Sequence, residues 1–340
     1  MSVVGVAAIG GVFVTQPGPE ANPLSDAEAT KRLAAISSRF ADSAVVSPAK
    51  IVPCTLSGGT QTSCVSITVL KAPKRDELGP WCPRNIKDTA EQGGIWLHDG
   101  EVHDVDGAFI ENLATFYQDD KWQMFDPATG KINVTDTQVA CEGAARPDVE
   151  EQYQNHCVEC ALEYLDAEAT ATFIVPLRPV MKERAGGRLS RSGAGVTFTG
   201  LRLDGPAPVE AILSAHTLAA FDDCGGHVNM HVGYHVHAVT DCHDNPSEAD
   251  GHAAMIGVAL DGIAIHSQLN EDGAEPDDLD ACRGHEVEGM GYHYHAGAPG
   301  NNQILGCHAA EIGCYQNESD ASCDASGGVL GRLKGLVKGR

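Results

Sequence analysis

The apolar positions change rhythm several times along the chain. Leu33, Ile36 and Phe40 recur at helical spacing behind Ser25-Asp26-Ala27-Glu28, a serine cap with a glutamate three residues on. This predicts one amphipathic helix over 26–42, in a segment 21–45 that serves packing or is a pro-region. From Lys50 the period becomes two. "KIVPCTLSGGTQTSCVSITV" reads as two strands around the turn Ser57-Gly58-Gly59-Thr60. "HDGEVHDVDG" reads as strand, turn and strand; its His98, His103, Asp104 and Asp106 invite a calcium reading, but the bidentate glutamate of an EF-hand loop is missing. "ATATFIVPLRPV" predicts a strand ending near Pro176, and "RAGGRLSRSGAG" after it reads as a connector. Pro208 to His216 predicts a short helix covering one sheet. The apolar run Val3 to Val14 is too short to span a bilayer and has no basic residue ahead of it, so residues 1–20 read as a weak or truncated signal-like segment.

The second half of the chain repeats itself. "GLRLDG" from Gly200 is matched by "GVALDG" from Gly257. Each copy then reaches Asp-x-Cys-x-Gly-His: Asp222, Cys224, Gly226 and His227 in one, Asp280, Cys282, Gly284 and His285 in the other. Five residues follow, then Gly-Tyr-His-x-His-Ala, Gly233 to Ala238 and Gly291 to Ala296, and a cysteine closes each unit, Cys242 and Cys307. The repeats span about 200–242 and 257–307. The pattern predicts a mainly β protein with short helices, built on a duplicated, disulfide-stapled β domain of pseudo-two-fold character. Its expected parts are a disulfide-rich N-terminal region 46–168, the duplicated domain 169–316 and a flexible basic tail 317–340.

Residues two apart in a strand share a face. His235 and His237 therefore present both imidazoles to one side, as do His293 and His295, while Tyr234 and Tyr292 face the other. Two such units about a pseudo-dyad would gather imidazoles from both repeats around one pocket. His227 and His285 stand ready as further ligands, and His266 follows an Asp-Gly turn on a predicted strand. Imidazole is the commonest side-chain ligand for zinc and copper. The expected metal ligands are thus His227, His235, His237, His266, His285, His293 and His295. His231, His243, His252 and His266 have no counterpart in the repeat and carry little weight singly, His266 being the one of most interest. The bland alternative is that these histidines are structural, held by backbone carbonyls or by Asp222, Asp261 and Asp280.

Charge and cysteine narrow the setting. The chain has 340 residues and a formal net charge of −24, which argues against nucleic acid, since phosphate binding needs a basic face. Its 12 cysteines include a single C-x-x-C, Cys157 to Cys160, and point to disulfides and an oxidising compartment. Cys54 with Cys64, Cys224 with Cys242 and Cys282 with Cys307 are the expected bridges. "HCVEC" at His156 would be half a zinc site, yet no second half follows, so its thiols are expected to be bridged. The sequons Asn133-Val134-Thr135 and Asn317-Glu318-Ser319 fit a secreted glycoprotein.

Tyr292-His293-Tyr294-His295 and its surroundings resemble the YHYH-domain proteins. "FDDCGGHVNMHVGYHVHA", "IGVALDGIAIHS", "LDACRGHEVEGMGYHYHA" and "ILGCH" occur in that family's order. The resemblance covers about 170–315, and more loosely 50–165, and implies a secreted protein carrying this domain. Two positions depart from the pattern: Val236 stands where the first copy often has a second tyrosine, and His266 stands where tyrosine is usual.

The expected function is a secreted metal-binding protein, copper or zinc, open to two chemistries. A bound water of lowered pKa could attack an ester, with Asp222 or Asp280 as base; or copper beside Tyr292 or Tyr294 could serve redox chemistry. No Gly-x-Ser-x-Gly elbow, P-loop or dinucleotide fingerprint is present. The competing expectation is a non-enzymatic extracellular binding module meeting a small molecule or the matrix, with no membrane span.

Overall fold

The structure, a computed structural model of the chain, describes residues 24–75, 77–146, 148–189, 192–243, 251–317 and 322–328. The signal-like segment 1–20, most of the basic tail, and Glu318 and Ser319 of the second sequon lie outside them. Helix α1 (Asp26–Ser37) starts where expected, the Ser25 hydroxyl accepting the Glu28 amide at 3.3 Å, and ends short of residue 42. The predicted hairpin forms as β1 (Lys50–Thr55) and β2 (Gln61–Leu70). A second hairpin, β3 (Ile95–His98) and β4 (Glu101–Asp104), takes the place of the calcium reading. Asp106 instead caps α2 (Gly107–Phe116) by accepting the Phe109 amide at 2.7 Å. Helix α3 (Gln138–Ala144) and strand β5 (Thr170–Pro176) follow.

The duplicated region supplies β6 (Gly195–Thr197), β7 (Arg202–Leu203), α4 (Val209–Ser214), β8 (Gly226–Asn229), β9 (Gly233–Val236), β10 (Met255–Ala259), β11 (Ala264–His266), β12 (Gly284–Val287) and β13 (Gly291–His295). Strands β14 (Cys314–Gln316) and β15 (Cys323–Asp324) close the chain's described part. One sheet runs β14-β5-β2-β1-β15 and another β12-β13-β11-β10-β6-β7-β9-β8. The boundary drawn between 168 and 169 therefore does not divide the sheets, because β5 pairs with β2 along its whole length. The two sheets bury a common core: Val65, Ile67, Phe173 and Val175 from one meet Val196, Phe198, Val258 and Leu260 from the other. Ala29 of α1, with Leu33 and Ile36, packs against the same core, so this helix has a packing role.

A local two-fold relates the repeats. Strands β6 and β10 pair antiparallel with Val196 opposite Val258, Gly195 opposite Ala259 and Thr197 opposite Gly257. Exchanging the strands reproduces that register. Outward from this axis the order is the same on both sides: an antiparallel neighbour (β7, β11), a parallel one (β9, β13) and an antiparallel edge (β8, β12). Gly195 and Gly257 sit at the crossing, where a Cβ on either would overlap the Val258 or Val196 carbonyl oxygen.

This symmetry corrects the sequence register of the repeat. Leu203 pairs with Val236 and Ile265 with Tyr294, so Gly195 corresponds to Gly257 and Asp204 to His266. The shared Leu-Asp-Gly tripeptide misleads. In the first copy it ends β7, and in the second it turns the corner between β10 and β11.

Six disulfides account for all 12 cysteines. The three expected bridges form. Cys157 and Cys160 are bridged as expected, to Cys82 and Cys141 rather than to each other. Cys314 joins Cys323. No described helix is long and apolar enough to cross a membrane. Replacing Gly195 or Gly257 by alanine should cost about 1–3 kcal/mol, the usual penalty of overpacking, and should do so equally at both sites. Denaturant midpoints of the two variants check this.

Candidate metal centres

Each repeat builds its own histidine cluster from an edge hairpin. His227 on β8 lies directly across from His235 on β9, and His237 continues on the same face two residues on. The three ring centroids are 4.7, 5.0 and 4.8 Å apart. In the second repeat His285 faces His293, and His295 completes the set, at 4.6, 5.0 and 5.4 Å. His266 joins it 4.7 Å from His293. His252, which has no counterpart in the first copy, lies 4.7 Å from His293 and 4.8 Å from His295. In each of the groups His227, His235, His237 and His252, His285, His293, His295, ligand atoms lie within 4.8 Å of one another.

The two groups do not meet. Strands β9 and β13 are separated by β7, β6, β10 and β11, which at a strand spacing near 4.8 Å puts them roughly 24 Å apart along the sheet. The single pocket expected between the repeats is thus replaced by two separate clusters. The reason is the position of the axis. It passes through β6 and β10, while the His-x-His strands lie outward of it on either side.

Backbone carbonyls set the orientation of these rings. Nδ1 of His235 donates to the Gly233 carbonyl at 3.0 Å and that of His237 to Gly205 at 2.6 Å. In the second repeat His293 donates to Gly291 at 2.9 Å, His295 to Ser267 at 3.0 Å and His266 to Ala253 at 2.7 Å. His285 donates Nδ1–H to the Asp278 carboxylate at 2.6 Å, and the His227 ring donates to the Ala219 carbonyl. A carbonyl oxygen only accepts, so the proton of each neutral ring bonded through Nδ1 sits there and leaves a lone pair on Nε2. Such a second partner is what a metal-ligating histidine normally carries.

The second cluster shows the consequence. Nε2 of His285 and Nε2 of His293 lie 3.0 Å apart, two acceptors facing each other. Nε2 of His295 is buried with no hydrogen-bond partner. His252 differs: its Nδ1 accepts the Ala253 amide at 2.7 Å, so its proton is on Nε2 and is donated to His293 at 2.7 Å.

The four residues proposed from sequence as catalytic are struts. Both oxygens of Asp222 accept the Tyr234 hydroxyl, at 2.9 and 3.0 Å, and also the Gly226 and Gly79 amides at 3.0 Å. Asp280 repeats this with Tyr292 at 2.8 Å and the Cys282 and Gly284 amides at 2.8 and 3.0 Å. Gly226 and Gly284 are glycines because a Cβ would overlap those tyrosine hydroxyls. Tyr294 donates to Asp261 at 2.7 Å and accepts the Ala309 amide at 2.6 Å. These groups face away from the imidazoles, as strand alternation requires.

Two participants were not singled out in the sequence, Asp204 and His252. Asp204 occupies in the first repeat the place of His266 in the second, and its charge acts on His227 and His237, opposing their burial. It pairs with the buried Arg202 at 3.0 Å. The register error concealed it. The first cluster opens on a cleft of about 920 Å³ lined by all three histidines, Arg202 and Asp204. His243 is structural, its Nε2 donating to the Cys224 carbonyl at 2.7 Å. In the first sequon Thr135 is buried, its hydroxyl on the Glu159 carbonyl at 3.0 Å.

Burial holds six of these imidazoles neutral. It pushes His227 and His235 well below the ordinary histidine value and His237 and His293 below it; His266 falls to about 4 and His295 to about 3. Burial pushes Asp222 up to about 6. No known protein family, curated protein or solved structure matches the chain.

Two outcomes follow for the metal-free protein. Unfolded histidine titrates near 6.5, so below that pH the unfolded chain binds more protons than the folded one, and stability is full above it and falls as pH drops. Asp222, Asp223 and Asp261, which burial raises, oppose this below about pH 6, three carboxylates against a larger number of imidazoles. The melting temperature should therefore fall from pH 7 to pH 5; a constant value would contradict the burial. Tyr234→Phe leaves a buried carboxylate short of its hydroxyl donor and should cost about 1–3 kcal/mol, with less at the more exposed Tyr292, both read by denaturant unfolding.

Proposed function

We propose that this is a secreted, disulfide-stapled protein of the YHYH-domain kind in which each repeat holds one transition-metal ion, copper or zinc. The observation that carries this reading is the pair of Nε2 atoms of His285 and His293, 3.0 Å apart with both Nδ1 atoms committed as donors. Nε2 of His285 and Nε2 of His293 face the same space, that of His293 shared with the His252 N–H at 2.7 Å, and a cation there would be met by both, with the partnerless Nε2 of buried His295 as the third nitrogen. The first repeat offers the same three positions in His227, His235 and His237. All-nitrogen donor sets suit zinc and copper. Six disulfides favour an oxidising compartment.

Of the two chemistries, metal-assisted hydrolysis fits the surroundings better than tyrosine-assisted redox chemistry. Tyr292 and Tyr294 are tied to Asp280 and Asp261, whereas Asp204 stands within electrostatic reach of the first cluster and beside its cleft. Asp204 replaces Asp222 and Asp280 as the carboxylate placed to accept a proton. The histidine donors bring neutral imidazole nitrogens, and a bound ion would supply a water of lowered pKa.

Metal analysis by mass spectrometry on untagged protein tests the reading. Two ions per chain are expected, one in His235→Ala, one in His293→Ala and two in a control at the exposed His231. Chelation should lower the melting temperature, because an ion bound only by the folded state stabilises it. A single ion lost in either variant would restore a shared site. No ion at all would favour the binding module with structural histidines.

A further inference from the structure

The two clusters differ at matched positions, and the differences run one way. Where the second repeat places His266, the first places Asp204, already neutralised by Arg202 at 3.0 Å. His252, donating its Nε2–H to His293 at 2.7 Å, occupies the approach to the second cluster, and the first cluster has no equivalent among the described residues. The first cluster's three imidazoles all line the cleft of about 920 Å³, whereas a cleft of about 770 Å³, lined from both repeats, touches the second cluster at His252. Three protein ligands with a position left over mark sites that bind exogenous molecules, and in the second repeat His252 stands in that approach.

Resting on the metal reading above, we infer that the first site is the ligand-taking one: its ion keeps a position open to the cleft and accepts there the oxygen head of a small, largely apolar organic anion, while the second site is closed. The charge follows from the donors. Three neutral imidazoles leave a divalent ion uncompensated, and the Asp204–Arg202 pair adds no net charge, so an anion completes the site. The body of the ligand is set by the walls. Leu189, Ile212, Val228 and Leu305 line the cleft, and its size lies within the range of small-molecule pockets.

The test uses cobalt(II)-loaded full-length protein, read by its visible absorption, with hexanoate and acetate as probes. Hexanoate should perturb half of the cobalt signal in the wild type, all of it in His293→Ala, where only the first site is loaded, and none in His235→Ala. It should bind at least tenfold more tightly than acetate, since each buried methylene is worth roughly fourfold. Ile212→Ala should weaken hexanoate several-fold and leave acetate unchanged. The wild-type amplitude stands even if a variant fails to fold. Cobalt uptake without any response to carboxylate, or an equal response from the second site, overturns this inference and leaves the metal reading intact. No cobalt uptake overturns both.

Discussion

A carbonyl oxygen can accept a hydrogen bond but cannot donate one, and the histidine clusters depend on that asymmetry. The carbonyls of Gly233, Gly205, Gly291 and Ser267 each accept a hydrogen bond from the Nδ1–H of a buried imidazole. The tautomer is thereby fixed, and with it the direction of the remaining lone pair. Two of these acceptors lie two residues before their histidine on the same strand, so the Gly-Tyr-His motif carries its own anchor. The other two lie just past the end of the strand paired in parallel with it, so the second anchor exists only when the sheet has formed. Fold and site are coupled at that point.

Other parts of the molecule serve this arrangement. The Asp222–Tyr234 and Asp280–Tyr292 bonds brace the back of each edge hairpin. The disulfides Cys224–Cys242 and Cys282–Cys307 fasten the segment that follows each His-x-His to the loop ahead of it. Burial does the rest, keeping the rings neutral and able to act as donors to an ion at neutral pH. The two-fold axis through β6 and β10 explains why the molecule has two such places: symmetry copies the hairpin outward to both ends of the sheet.

Much of this was legible in the sequence. The capping serine, the first hairpin, the strand before Pro176 and the pairing of three disulfides follow from local patterns that the tertiary structure leaves intact. His227, His235 and His237 group together, as do His285, His293 and His295, because period-two alternation and a short loop decide it. What the sequence concealed was non-local. Whether two hairpins converge or diverge depends on which strands lie at the dyad, and no local pattern around Gly195 or Gly257 states that. The Leu-Asp-Gly coincidence then shifted the register and hid Asp204. His252 lacks a repeat partner and is recognisable only once the fold brings it beside His293. Asp222 and Asp280 look like bases in a string of letters, and only the strand faces separate them from the imidazoles.

The most direct test of the central claim is long-range proton–nitrogen NMR of the histidine rings in metal-free protein at neutral pH, repeated after adding zinc. His235, His237, His293 and His295 should appear as neutral rings protonated at Nδ1, with zinc moving chiefly their Nε2 resonances. Rings protonated at Nε2, or Nε2 resonances indifferent to zinc, would contradict the account.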